Sequence, residues 1–248
     1  MNRKTILRKE MFNKDCAWLF KKSIYHRGVY DNKVIFENTI ESYQRAIEKK
    51  AAIELDVQLT NDLQVVCLHD TSLKRFFNRS REVKDISYKR LNKLRYDFQV
   101  PLLKDVLKLV NGKVELVIEL KNINRKYNKM LVNKVHELLR NYHGKYVIVS
   151  FNPFMLKAYK KLDKKAYIGR NGTTNTKNII EKLIIDKQLF NFLVKPDFIS
   201  YDIDNYDEKK LSKYKEKGYK IIGWTLKDED RKKQLKKYYH NFIVESVE

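Results

Sequence analysis

The sequence predicts an α/β fold, a (β/α)8 barrel with a β-hairpin after the second barrel strand, on three observations. Short β-rich runs recur along all 248 residues. Helical patterns lie between most of them. One pair of runs stands too close together to admit a helix. Strands alternating with helices imply parallel strands joined by crossovers.

The β-rich runs cover residues 23–25, 52–59, 65–68, 114–120, 146–151, 166–169, 198–203, 219–226 and 242–244. Helical periodicity covers 38–49, 102–110, 129–142, 154–162, 179–192, 208–217 and 229–239. The first helix carries its own start signal, with Asn38 as N-cap and Glu41 three residues on. Between Leu59 and Val65 the dipeptide Asn61-Asp62 tolerates positive φ and reads as a tight turn. Setting aside the return strand of that hairpin leaves eight strands, the number of a closed parallel barrel. A doubly wound open sheet is the competing architecture. With seven glycines and three prolines, none clustered, nothing reads as a linker, and residues 1–248 are expected to form a single domain.

Apolar residues make up 43% of the chain and charged residues 34%, enough for a sizeable core beneath a heavily solvated surface. No run of about twenty apolar residues occurs, so no transmembrane helix is expected. The start, MNRKTILRKEMFNKDC, is broken by charge throughout and reads as no secretory signal. Two cysteines, Cys16 and Cys67, make no disulfide framework, and a reduced, cytoplasmic protein is expected. Fifty-three Lys and Arg against thirty-one Asp and Glu give a net charge of +22. Lysines are spread along the chain without a recognition-helix, zinc-finger or RNA-binding signature, so no specific nucleic-acid partner is expected. A solvated lysine-rich surface is the plain reading, and transient association with an anionic membrane surface is the partner it admits. Oligomeric state leaves no signal.

The chemistry gathers near the start: His26-Arg27-Gly28, Glu37-Asn38-Thr39, Glu54-Leu55-Asp56 and His69-Asp70. If Asn61-Asp62 is a two-residue turn, Asp56 faces Cys67 and Glu54 faces His69, so all four project from one side. Ile53, Leu55 and Val57 then face helices. Ile118-Glu119-Leu120-Lys121 repeats the alternation, with Glu119 and Lys121 on one face. Glu54, Asp56 and Glu119 at strand ends make an oxygen-only site suited to Ca²⁺ or Mg²⁺ rather than zinc. Three carboxylates and a divalent cation leave one negative charge, a phosphodiester adds another, and Arg27 and Lys121 bring the sum to neutral. An unperturbed histidine titrates near neutrality, which suits His26 and His69 to general acid and general base work across the phosphorus.

These residues also carry a family resemblance. The order HRG, ENT, IELDV, VVCLHD, Leu73, Arg75, IELK, Ser150-Phe151 and Trp224-Thr225 resembles the glycerophosphodiester phosphodiesterase family over residues 23–226. The resemblance implies a TIM barrel, as the strand count predicts independently. It implies a glycerophosphodiester substrate, with His26 and His69 as the acid–base pair. It also implies Glu54, Asp56 and Glu119 as metal ligands, and Arg27 and Lys121 on the phosphate. Attack by the glycerol's own hydroxyl and attack by water both fit it. The departures are Phe36 for the usual proline, Ala51-Ala52 for a glycine-containing turn, and Asn61-Asp62-Leu63 for a glycine-bearing turn. The stretch 71–100 is short, which implies a reduced insertion beside the site.

Other residues keep two readings. Glu37 orients Arg27 or merely precedes the helix cap. Trp224 and Phe151 line a substrate pocket or belong to ordinary barrel core. Arg170 is expected to be a solvated arginine, Cys67 small core filler, and Asp202, Asp204 and Asp207 a polar loop. His136, His143 and His240 are expected to be bystanders. The alternatives to a small-diester hydrolase are a lysophospholipase D and a non-catalytic basic module binding anionic lipid or nucleic acid.

Overall fold

The computed structural model describes residues 16–95 and 97–245; residues 1–15, read above as no secretory signal, lie outside them. Among the described residues the strands are β1 (Ile24–His26), β2 (Ala52–Leu59), β3 (Val65–Cys67), β4 (Leu116–Leu120), β5 (Tyr146–Ser150), β6 (Ile168–Gly172), β7 (Phe198–Asp202), β8 (Ile221–Leu226) and β9 (Asn241–Val244). All but β3 run parallel. β9 pairs with β1 and β1 with β2, so eight strands close into a ring. β3 pairs antiparallel with β2 outside that ring. The closed barrel and its hairpin are the architecture predicted from the strand count.

Alternation along each strand separates two layers. Ile53, Leu55 and Val57 point outward and pack with Tyr43, Val106, Leu131 and Leu156 of the surrounding helices. Ile24, Val117, Val147, Phe198, Ile222 and Ile243 fill the interior, joined by Trp18 and Leu19 of the short helix Ala17–Phe20. Asn241 ties that helix to the start of β9 by donating to the carbonyls of Leu19 and Lys22, both at 2.8 Å. Gly169 makes room for the interior aromatic, since a Cβ there would lie 2.3 Å from the Phe198 ring.

Local details differ from the sequence expectation. The hairpin pairs Val57 with Cys67 and Leu59 with Val65, one residue off the predicted register. Its turn spans three residues, because Leu63 adopts a left-handed φ of 60° and Thr60 pairs with Gln64. A one-residue slip moves side chains to the opposite face. Cys67 therefore packs with Leu55 and Val57 in the helix-facing core, away from Asp56. The cap of the helix Ile40–Glu48 is Thr39, not Asn38; Thr39 and Ser42 form a reciprocal capping box. The stretch 179–192 is not one helix but a turn Ile179–Glu181, a π-helical turn Lys182–Asp186 and a further turn Asn191–Val194. Arg170 is fully buried rather than solvated. It donates to the carbonyls of Phe151 and Ile184, tying the end of β5 to the segment after β6.

Candidate active site

A cavity of about 170 Å³ opens at the carboxyl ends of the strands, lined by His26, Arg27, Glu54, Asp56, His69, Glu119, Phe151 and Trp224 together with Asn171 and Ser200. Eight of the residues singled out in the sequence thus meet in one place. Lys121 and Glu37 stand just behind the wall. An open cleft lined by His69, Asp70, Arg75 and Lys121 shares His69 with it.

Each element delivers its group for a local reason. β1 ends at His26, and the chain turns back through two left-handed residues, Arg27 (φ 58°) and Gly28 (φ 86°). A Cβ on Gly28 would lie 2.6 Å from Ser42 Oγ and 2.7 Å from its backbone, so the turn admits only glycine. Glu54 and Asp56 alternate with the outward Leu55 on β2, and Asp56 pairs in register with Glu119 on β4. One carboxylate oxygen from each of Glu54, Asp56 and Glu119 lies within 4.8 Å of the others, and all three residues are buried.

A continuous charged network surrounds the carboxylates. Lys121 Nζ lies 3.2 Å from Asp56 Oδ1 and 2.9 Å from Glu119 Oε1. Arg27 Nε lies 3.1 Å from Asp56 Oδ2, off the hydrogen-bond direction, while its Nη1 donates to Glu37 Oε1 at 2.6 Å. Glu37 also accepts two bonds from Arg75, at 2.8 and 2.7 Å. Arg75 Nε reaches Asp70 Oδ2 at 2.6 Å, and Asp70 Oδ1 lies 2.6 Å from His69 Nδ1. Glu37 is thus the buried junction between the two arginines, and the structure gives it a place in the network as well as before the helix cap.

Electrostatics follow from this crowding. Burial pushes Glu54 well above the usual carboxylate range, and the neighbouring Asp56 adds to it. Burial opposes the charge on Asp56 too, but Lys121, His69 and Arg27 hold it below its ordinary value. Burial and Arg27 push His26 down to about 3, which leaves its imidazole neutral at pH 7. His26 Nε2 stands 4.0 Å from Glu54 Oε2. Burial opposes the Lys121 ammonium, yet Glu119 and Asp56 raise its pKa and keep it charged.

Sequence reasoning gave no role in the site to four groups that the fold brings in. Asn38 donates to Asp56 Oδ2 at 3.0 Å and is itself held by Tyr43 Oη at 2.8 Å. Asn171 donates to Glu119 Oε2 at 2.9 Å. Asp70 and Arg75 link His69 to Glu37. Asn38, Asp70 and Arg75 lie within the quoted motifs and could have been weighed there, whereas Asn171 has no local signal. Phe151 and Trp224 meet edge to face across the mouth, with ring centroids 5.7 Å apart.

Comparison with known proteins identifies the family. The model of the glycerophosphoryl diester phosphodiesterase family matches residues 26–244. A glycerophosphodiester phosphodiesterase of Caldanaerobacter subterraneus subsp. tengcongensis is 29% identical over 240 residues, 91% of this chain and 94% of that protein. A lysophospholipase D of Homo sapiens is 31% identical over 145 residues, 52% of this chain and 44% of that protein. An Oleispira antarctica phosphodiesterase, solved in complex with the product sn-glycerol-3-phosphate, shares the fold with a TM-score of 0.74 at 20% identity, over 90% of this chain and 92% of that one. A Silicibacter pomeroyi structure described as a glycerophosphoryl diester phosphodiesterase gives 0.75 at 16% identity, over 90% and 89%. The two solved structures share the barrel, and the residues that the family model matches begin at the histidine that ends β1: the chain belongs to the glycerophosphoryl diester phosphodiesterase family.

Proposed function

We propose that the protein hydrolyses glycerophosphodiesters to an alcohol and glycerol 3-phosphate at the barrel mouth, with Ca²⁺ or Mg²⁺ held by Glu54, Asp56 and Glu119. The observation that carries this reading is three buried carboxylates within 4.8 Å of one another in a cavity that two histidines also line. The donor set fits a hard cation: the ligands are oxygens, and burial beside Asp56 already disfavours the Glu54 charge. With every member ionised, Glu37, Glu54, Asp56, Asp70 and Glu119 against Arg27, Arg75 and Lys121 leave two negative charges, the complement of one divalent ion. When bound, such an ion supplies Lewis-acid stabilisation of charge on the phosphoryl oxygens.

The chain's own groups supply the rest. Arg27 offers a planar fork to phosphate oxygens, and Glu37 holds that fork in place. Lys121 offers a point charge from the adjoining strand end. His69, tied through Nδ1 to Asp70, keeps Nε2 for a reacting oxygen. His26 faces the same cavity, with Nε2 4.0 Å from Glu54 Oε2. One histidine removes the proton of the attacking hydroxyl and the other returns one to the leaving alcohol. His26→Ala and His69→Ala are each expected to lower glycerol 3-phosphate release from glycerophosphocholine by roughly 100-fold or more. Undiminished turnover in either variant overturns the assignment.

A lysophospholipid substrate is a second reading. A groove of about 690 Å³ lined by Ile123, Val132, Phe154 and Met155 lies beside Asn122, the neighbour of Lys121. Parallel assays on lysophosphatidylcholine and glycerophosphocholine separate the two.

A further inference from the structure

Among the described residues, eight large apolar side chains stand exposed; seven lie on two consecutive βα connections, and, leaving out Leu162 at the far end of its helix, six of these gather toward the start: Phe154, Ile179, Ile180, Leu189, Phe192 and Leu193. Phe154 opens the helix that follows β5, so it sits at the carboxyl end of that strand, where the carboxylates are. The other five follow β6. Phe190 packs on Phe154 with ring centroids 5.1 Å apart, which draws the second connection onto the first. Ile179, Ile180 and Phe192 are each about two-thirds exposed, at 67%, 65% and 67%. Leaving such bulk in water is costly unless something covers it.

The patch is a built platform. Arg170 donates from beneath to the Ile184 carbonyl at 2.6 Å. Asp186 is buried, accepts from Tyr201 Oη at 2.9 Å and pairs with Lys210. Lys177, Lys182, Lys187 and Lys195 are exposed along the same segment. Its acids are engaged inward or locally, since Glu181 accepts from the Lys177 backbone at 2.8 Å. The outward face is therefore apolar side chains interleaved with lysines. A second copy of this chain would bring lysine against lysine, whereas an anionic lipid surface accepts both components.

We infer that the segment 177–195, with Phe154, is an interfacial docking element that seats the barrel mouth on anionic bilayers. The inference goes beyond the proposed hydrolysis and is read by binding alone, so failure of one leaves the other standing.

Flotation of the full chain with vesicles tests it. Binding is expected to vesicles of equal parts phosphatidylglycerol and phosphatidylcholine, and to be weak on phosphatidylcholine alone. The double variant Ile180→Asp, Phe192→Asp is expected to lower partition at least about ten-fold. Lys182→Glu with Lys187→Glu leaves the apolar side chains in place and is expected to lower it by about five-fold per lysine or more. Lys164→Glu with Lys165→Glu, in the connection leading to the opposite end of β6, should leave it unchanged. Hydrolysis of a soluble diester should be the same in all three. Absence of vesicle binding, or an equal loss in the Lys164 and Lys165 variant, overturns the inference. So does a dimer that the Ile180 and Phe192 variant dissociates without any vesicle binding.

Discussion

His69 is held by a carboxylate that an arginine holds in turn. Asp70 fixes Nδ1, and Arg75 braces Asp70 while making two bonds to Glu37. Asp70→Asn keeps the shape but removes the charge that stabilises a protonated His69. It is expected to lower kcat by roughly 10- to 100-fold with little change in KM, seen in steady-state kinetics; a change confined to KM would contradict this positioning role. Glu37 makes a stability prediction. Burial would raise its pKa, but the bonds from Arg75 and the charges of Arg27 and Arg75 override that and hold it at about 2, below its ordinary 4.5. Its folded value lies below the unfolded one, so the ionised form stabilises the fold at neutral pH. That contribution fades as pH falls from about 4.5 toward 2. Glu37→Gln strands two arginines and is expected to cost about 3 kcal/mol at pH 7. The gap to the native protein should narrow on acidification, as urea unfolding across pH would show.

The connection from the first helix to β2 shows how an element ends without its usual residue. Lys50 N–H reaches the Ile47 carbonyl at 2.9 Å and Ala51 N–H the Ala46 carbonyl at 3.1 Å, the Schellman pattern. The left-handed position is Lys50, at φ 53°, where glycine is the unstrained choice. Lys50→Gly is expected to raise stability by about 0.5–1 kcal/mol in chemical denaturation. The hairpin carries the same lesson. Asn61-Asp62 reads as a two-residue turn because both residues tolerate positive φ, yet it is Leu63 that adopts it. Leucine carries no signal for that conformation, so the sequence predicts a register one residue off, with His69 opposite Glu54. His69 lines the cavity all the same, because the chain leaves the strand at Cys67. The helix cap differs for a related reason: Asn38 and Thr39 are both good caps, and tertiary structure commits Asn38 to Asp56.

At the scale of the whole molecule the barrel was legible because its strands are separated by helical periodicity and its interior by alternation. The carboxylates on β2 and β4 were legible as charges on a face that should otherwise be apolar. Asn171 and the Arg75–Glu37 link were not, because closure of the ring and folding of the stretch after β3 bring them in. Closure also makes the interior intolerant of added volume. Gly169→Ala would press a methyl group on Phe198 and is expected to cost about 1–3 kcal/mol by denaturant unfolding. Of the lysines behind the net charge of +22, spread along the chain, Lys177, Lys182, Lys187 and Lys195 border the apolar platform after β6.

The central claim is that Glu54, Asp56 and Glu119 hold the cation on which diester hydrolysis depends. The most direct measurement is release of glycerol 3-phosphate by protein stripped with chelator and then titrated with Ca²⁺ or Mg²⁺, beside an Asp56→Asn variant. Turnover is predicted to fall to background on stripping, to return in full with one of the two ions, and to stay near background in the variant. Full turnover by the stripped protein, or by Asp56→Asn, would contradict it.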